Sequence, residues 1–539
     1  MFSCFFDMAL QTSLKSRHLL RLNARSIQRC FSEDAAPGGA AQKKGLVLGV
    51  YHVQDAQLGG EGGGEYKFTP TASAFNKQTG GRLEELIKEA GGRIPKGKAL
   101  VYHNLDPEFF AVALSGLDKE NAEVNTSEQL DEAKENVRVA AGVGAYELRK
   151  TGVNHILVES FNDQVEAAAE GAGLAVWRYQ DNKAKEDQKP IPTLELYSDP
   201  DKASWLRGIN KADAQNFARK LSDSPPNLMT PSLFAKATVD ALCPCGITVE
   251  IRDKEWIESK NMTAFLTVAR GSCELPLLLE LGYCGGGQEE KPIVLVGKGV
   301  TFDSGGLCLK PCKGMMEFRA DMAGAAVIVA TLRAISILNL PVNVTGIIPL
   351  CENMPSGMAV KPGDLVRASN GRAILVDNTD REGELILADA LLYGVNNFKP
   401  KMVMDIATLS SGMRTALGSA ASGVFASTDS LWKEISEAGT STGDRVWRFP
   451  LWKQFSNKVT HTTFADISNV GLGPGGDPCL AAAFLREFVP CGDWIHMDIT
   501  GSGKLQGKGD VPYLVEGRMT GRPTRTVIQF LTQFAKTHH

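Results

Sequence analysis

Short apolar runs alternate with longer amphipathic stretches along most of the 539-residue chain, and that alternation leaves few architectures open. Residues 46–51, 100–102 and 155–159 read as buried strands, whereas residues 127–150 carry helical periodicity. A helical pattern over residues 211–221 stops at Ser224-Pro225-Pro226-Asn227, because proline cannot continue a helix. Beyond it a second series begins: helix 232–242, strand 248–252, helix 254–260 and strand 293–296. Strands that alternate with helices form a sheet covered on both faces. The expected fold is therefore α/β: a smaller N-terminal α/β domain over residues 45–211, and a larger C-terminal α/β domain over residues 212–539 with a mixed central sheet flanked by helices.

With 43% hydrophobic and 22% charged residues, the chain has enough apolar surface for two cores. A net charge of -4 offers no dominant basic face, so neither nucleic acid nor a membrane surface is an expected partner. Each apolar run is soon interrupted by Gly, Pro or charge, and no membrane-crossing helix is expected. The eleven cysteines form no paired CxxC pattern, since Cys243-Pro-Cys245 is too tight and stands alone; they read as reduced thiols of an intracellular compartment. The run Gly59-Gly60-Glu61-Gly62-Gly63-Gly64 lacks the strand-then-helix context of a phosphate-binding loop and reads as an ordinary loop.

The N-terminus differs from the rest. Lys15, Arg17, Arg21, Arg25 and Arg29 face one acid, Asp7, and on a helix the arginines gather on one arc while Leu19, Leu20 and Ile27 fall opposite. An Arg-rich amphipathic helix of this kind matches a mitochondrial transit peptide over residues 1–31, with Arg29-Cys30-Phe31-Ser32 similar to a matrix-protease cleavage site. Matrix localisation follows as an expectation. Residues 32–44, rich in Ala, Gly and Pro, read as a flexible leader.

Strand 293–296 runs into Gly297-Lys298-Gly299-Val300-Thr301-Phe302-Asp303-Ser304-Gly305-Gly306, then Leu309-Lys310-Pro311 and Arg319-Ala320-Asp321-Met322. Ligands collect at the carboxyl ends of strands in α/β sheets, so a Gly-rich loop offering Lys and Asp there is a candidate site. A second cluster, Asp377-Asn378-Thr379-Asp380-Arg381-Glu382-Gly383-Glu384, leads into a helix over residues 385–393. Asp380 and Glu382 are two apart, which in an extended segment points both carboxylates the same way. Asp303, Asp321, Asp380 and Glu382 are hard oxygen donors suited to zinc, manganese or magnesium, and Lys298 is an amine ligand once its proton is lost.

Residues 296–326 and 378–390 resemble the two signature segments of the leucyl aminopeptidase family, whose usual wordings are GKGITFDSGG…SLK…ADMGGAA and NTDAEGRLILADAL. Further matches are residues 224–231, Ala407-Thr408-Leu409 and Asp498-Ile499. The resemblance implies a catalytic metallopeptidase domain over residues 212–539, a peptide substrate, and a homohexamer. It implies two divalent ions per subunit, zinc or manganese, with Lys298, Asp303 and Asp321 serving one and Asp303, Asp380 and Glu382 the other. It gives Lys310 the role of polarising the scissile carbonyl, and it places Lys298, Asp303, Lys310, Phe318, Asp321, Thr408, Leu409, Ser411 and Thr500 around the substrate.

One departure stands out. The family's NTDAEGR ends in an Arg that holds a bicarbonate ion, the proton acceptor for the attacking water; here that position is Glu384, which reverses the charge and removes the guanidinium fork. Bicarbonate is not expected to bind. Either Glu384 serves as general base itself, or the chain is a catalytically weakened homologue with a structural or storage role. Phe318, Ser411 and Thr500 also differ from the usual pocket wall, which leaves preference for a leucine-sized residue open. A mitochondrial leader combined with intact ligands and a lost Arg resembles the sperm-enriched mitochondrial members of the family known from insects.

Overall fold

A computed structural model describes residues 42–53, 66–505 and 511–537; the transit-peptide segment and the Gly59–Gly64 run lie outside the described residues. The first described domain is built on a six-stranded sheet. Lys44–His52 lies between parallel neighbours Phe109–Asp118 and His155–Val158, with Thr193–Leu196 beyond, while Ala99–Asp106 and Tyr66–Phe68 pair antiparallel. Successive residues of the central strand point to opposite faces, so Leu46, Leu48 and Val50 enter one core and Val47 and Tyr51 the other. The helix expected from residue 127 starts at Glu132, because the Asp131 side chain accepts a hydrogen bond from the Lys134 N–H and caps it there.

The second domain is a nine-stranded mixed sheet. Its central strands Asn343–Asn353, Ile293–Gly297, Met402–Ala407 and Asp493–Asp498 are parallel, flanked by the antiparallel strands Leu277–Cys284 and Ser422–Ala426. Alternation again divides the cores: Ile293 and Leu295 pack under helix Ala323–Ile337, and Val294 and Val296 under helix Glu382–Phe398. The smaller-then-larger α/β arrangement expected from the sequence is present.

Helix Lys202–Asp223 is longer than its sequence pattern and runs through the expected 211/212 junction, so the two sheets are joined by a continuous helix rather than a loop. Across the same boundary, Arg525 reaches Glu170 at 2.7 Å, and Arg138 donates to the Ser441 carbonyl at 2.6 Å. Met315–Ile337 corrects one expectation: by length and composition it is apolar enough to cross a membrane. Its most apolar window is 83% buried in the fold, the condition of a core helix. The nine cysteines among the described residues are free thiols.

Candidate active site

Strand Ile293–Gly297 ends, Lys298 bridges, and Gly299–Asp303 continues alongside Asn343–Asn353. Asp303 thus occupies the carboxyl end of a strand, buried to 2% exposure. Its carboxylate accepts hydrogen bonds from the Asn353 amide at 2.8 Å and the Gly305 N–H at 2.9 Å. Gly305 has φ +89°, a conformation that a β-carbon would strain, and the turn there, closed by the Lys310 N–H donating to the Ser304 carbonyl at 2.9 Å, brings Lys310 back to Asp303.

Asp380 and Glu382 do not share an extended segment as expected: Glu382 opens helix Glu382–Phe398 and Asp380 lies in the turn before it. Their carboxylates nevertheless converge, with ligand oxygens of Asp303, Asp380 and Glu382 all within 4.8 Å of one another. Asp321 follows the 3-10 turn Met315–Ala320 and accepts from the Thr408 hydroxyl at 2.6 Å. Lys298 ties the two groups together. Its ammonium is 2.8 Å from Asp321 and 2.7 Å from Glu382, and donates to the Thr408 carbonyl at 2.7 Å. Lys310 lies 2.8 Å from Asp303, also contacts Asp380, and sits 4.0 Å over the Phe318 ring.

Crowding of buried carboxylates sets the electrostatics. Burial raises the Asp303 carboxyl, Glu382 adds to that, and Lys310 and Lys298 oppose it. Burial holds Asp321 well above the usual carboxylate range despite Lys298. Burial works against the Lys298 ammonium, yet Asp321 and Glu382 carry it well above an ordinary lysine. Four carboxylates against two ammonium groups leave uncompensated negative charge. Apart from the lysine contacts, Asp321 Oδ2, Asp380 Oδ1 and both Glu382 oxygens have no hydrogen-bond partner. Buried hard oxygens in that state fit divalent cations.

These groups open on a cavity of about 640 Å³. Lys298, Asp303, Lys310, Phe318, Asp321 and Asp380 line one side. Thr408 and Leu409, after strand Met402–Ala407, form the other side with Ser411, which opens helix Ser411–Leu417, and Thr500, which follows strand Asp493–Asp498. Thr500 is fixed by donating to Asp498 at 2.6 Å. Glu384 is not a wall residue. In the first turn of its helix, it is 1% exposed, neither oxygen has a hydrogen-bond partner, and burial lifts the carboxyl to about 8, with Arg381 opposing and Glu382 reinforcing. The sequence reading missed Asn353, which holds Asp303, and the wall residues Arg381 and Arg414. Arg381 stands in the quoted acidic cluster, between Asp380 and Glu382, and could have been found there; no local pattern marks Asn353 or Arg414, which reach the site through strand pairing and helix placement.

The cytosol aminopeptidase family catalytic-domain model matches residues 216–528, and its N-terminal-domain model matches residues 47–186. The chain belongs to the cytosol aminopeptidase family. Within that family, the cytosol aminopeptidase of Bos taurus is 43% identical over 506 residues, which is 93% of this chain and 95% of the relative. That of Dictyostelium discoideum is 36% identical over 533 residues, 97% and 99% of the two chains. Among solved structures, the bottromycin maturation enzyme BotP superposes with a TM-score of 0.77 at 27% identity, covering 92% of this family member and 100% of BotP. A structure of BotP in complex with Mn gives 0.76 at 28% identity, with the same coverage.

Proposed function

We propose that this chain hydrolyses the N-terminal peptide bond of peptides bound in the cavity at the carboxyl edge of its larger sheet. As a cytosol aminopeptidase family member it is a metallo-aminopeptidase, a hydrolase. The observation that carries the finer reading is the convergence of Asp303, Asp380 and Glu382, with Asp321 joined to Glu382 through Lys298, so that carboxylates from three separate segments meet with only two lysines as partners for their otherwise unbonded oxygens. Two divalent ions, zinc or manganese, would supply Lewis-acid activation of water and polarisation of the scissile carbonyl. Lys298, Asp303 and Asp321 would hold one and Asp303, Asp380 and Glu382 the other. The 2.7 Å approach of Lys298 to Glu382 brings the two sets side by side, with Asp303 shared between them.

Lys310, poised beside Asp303, steadies the developing oxyanion, and the other walls receive the substrate: Phe318, Thr408, Leu409, Ser411 and Thr500 surround its first side chain. Leucine p-nitroanilide hydrolysis with added manganese or zinc tests this reading; no turnover with either ion, in protein that binds both, would sink it.

A second reading is a catalytically weakened homologue with a structural or storage role. It is favoured by the position of Glu384, which lies off the cavity wall where the family's pattern has Arg. A homohexamer is part of either reading, supported by family membership and by the exposed Trp447, Trp452 and Phe464; light scattering of the purified chain decides it. The Arg-rich N-terminus supports a mitochondrial address, as in the insect sperm-enriched members. A fusion of residues 1–45 to a fluorescent protein should enter mitochondria and fail to do so with Arg17, Arg21 and Arg25 changed to Glu; diffuse signal from the unmodified fusion would end that proposal.

A further inference from the structure

A second cavity, of about 750 Å³, lies between the domains and shares no wall residue with the peptide cavity. Lys96 and Lys98 reach it from the first domain, and Arg445 and Arg522 from the second. Opposite them is one carboxylate, Glu135, already engaged by Arg138 at 3.1 Å and by the Tyr513 hydroxyl at 2.9 Å. Arg445 pairs with Glu128 at 2.9 Å, but the Glu128 side chain is 59% exposed, so solvent screens that pair and leaves the guanidinium available. Among the described residues, Lys96 and Lys98 have no ion-pair partner.

Arg522 is the decisive group. It is 4% exposed, donates to the Ser419 carbonyl, and is in no ion pair among the described residues, while its Nε has no hydrogen-bond partner at all. A guanidinium buried without an anion is costly to keep charged, and arginine does not readily escape the cost by losing its proton. Burial does pull its pKa down, against the more distant Asp444 and Tyr513. Four cations that converge from different directions suit a tetrahedral, doubly charged oxyanion better than a planar, singly charged carboxylate. The remaining wall, with Leu130 and Val139, offers apolar surface for an attached organic group.

We infer that this interdomain cavity binds a small organic phosphate, its oxyanion held by Arg522 from within and by Lys96, Lys98 and Arg445 at the mouth. The probe is phenyl phosphate, titrated calorimetrically into the full metal-loaded chain at fixed ionic strength, with benzoate as the carboxylate control. Phenyl phosphate should saturate one site per chain and bind more tightly than benzoate. Affinity should fall about tenfold or more in Lys96→Ala/Lys98→Ala and in Arg522→Gln, and persist in Asp303→Ala, where the metal centre is impaired. The lysines are exposed, so their double variant stays informative even if Arg522→Gln folds poorly. The inference is overturned by absence of saturable binding, by equal binding of benzoate, by affinity unchanged in the lysine variant, or by binding lost in Asp303→Ala.

Discussion

At Asp303 a single carboxylate is asked to face two groups of ligands while staying fixed, and the Asn353 amide and Gly305 N–H perform the fixing. Because both proposed ions share it, Asp303→Ala should lose the two together, read by metal analysis of the purified protein; full occupancy in that variant would mean the ligand assignment is wrong. Asn353→Ala leaves every ligand in place but removes one of the two amide donors that fix the Asp303 side chain, and should weaken metal affinity about 10–100-fold. Glu384 separates the readings of function. A base must come within about 3 Å of its proton, directly or through one water, and Glu384 lies off the cavity wall. Glu384→Gln should therefore leave kcat near the wild-type value. Glu384→Arg should raise it by about 10²-fold and make the rate respond to bicarbonate, as recovery of a general base would. A steep fall in kcat for Glu384→Gln would instead make Glu384 the base.

Among the elements, helices Glu132–Lys150 and Val165–Val176 cross so closely that a β-carbon at Gly171 would overlap the Arg138 carbonyl. Gly171→Ala gains about 1 kcal/mol of helix propensity. It loses more, since overpacking against backbone costs about 1–3 kcal/mol and the carbonyl cannot rotate away. A net loss of up to about 2 kcal/mol should appear in urea unfolding. The elements themselves were largely legible in the sequence. Residues 46–51 and 293–296 announce strands because both their faces are buried, and Lys298, Asp303, Asp380 and Glu382 stand in segments whose wording is distinctive. What was not legible is pairing at a distance. Nothing near Asp303 names Asn353, fifty positions on, because sheet register is set by tertiary packing. The Asp380–Glu382 turn was misjudged for a related reason: the period-2 argument assumes extended backbone, and the helix claims Glu382 as its first residue.

At the scale of the whole molecule, stability should depend on pH through Glu159, fully buried in the first domain, where it accepts hydrogen bonds from the Gly49 N–H and, at 2.8 Å, the Thr69 hydroxyl. Burial lifts its carboxyl from 4.5 to about 7 against the pull of those donors. Between those values the folded state keeps a proton that the unfolded state has released. Stability therefore falls as pH rises through that window, by up to about 3 kcal/mol, and is fully present below it. Asp213 and Asp389, each raised to about 6 by burial, act in the same direction, so the contribution of Glu159 is the difference from Glu159→Gln. That variant should show a shallower decline in unfolding free energy between pH 5 and pH 8, measured by urea titration. Parallel profiles would remove Glu159 as the cause.

The ion pair between Arg525 and Glu170 carries a consequence for how the chain is made. Arg525 stands in helix Thr524–Thr537, more than three hundred positions after Glu170, so during vectorial synthesis the first domain emerges with Glu170 held by Arg138 at 2.6 Å and its second guanidinium still to be translated. The first domain on a stalled ribosome should be more open to proteases around residue 170 than in the finished chain, and its protection is the last step of assembly, not the first.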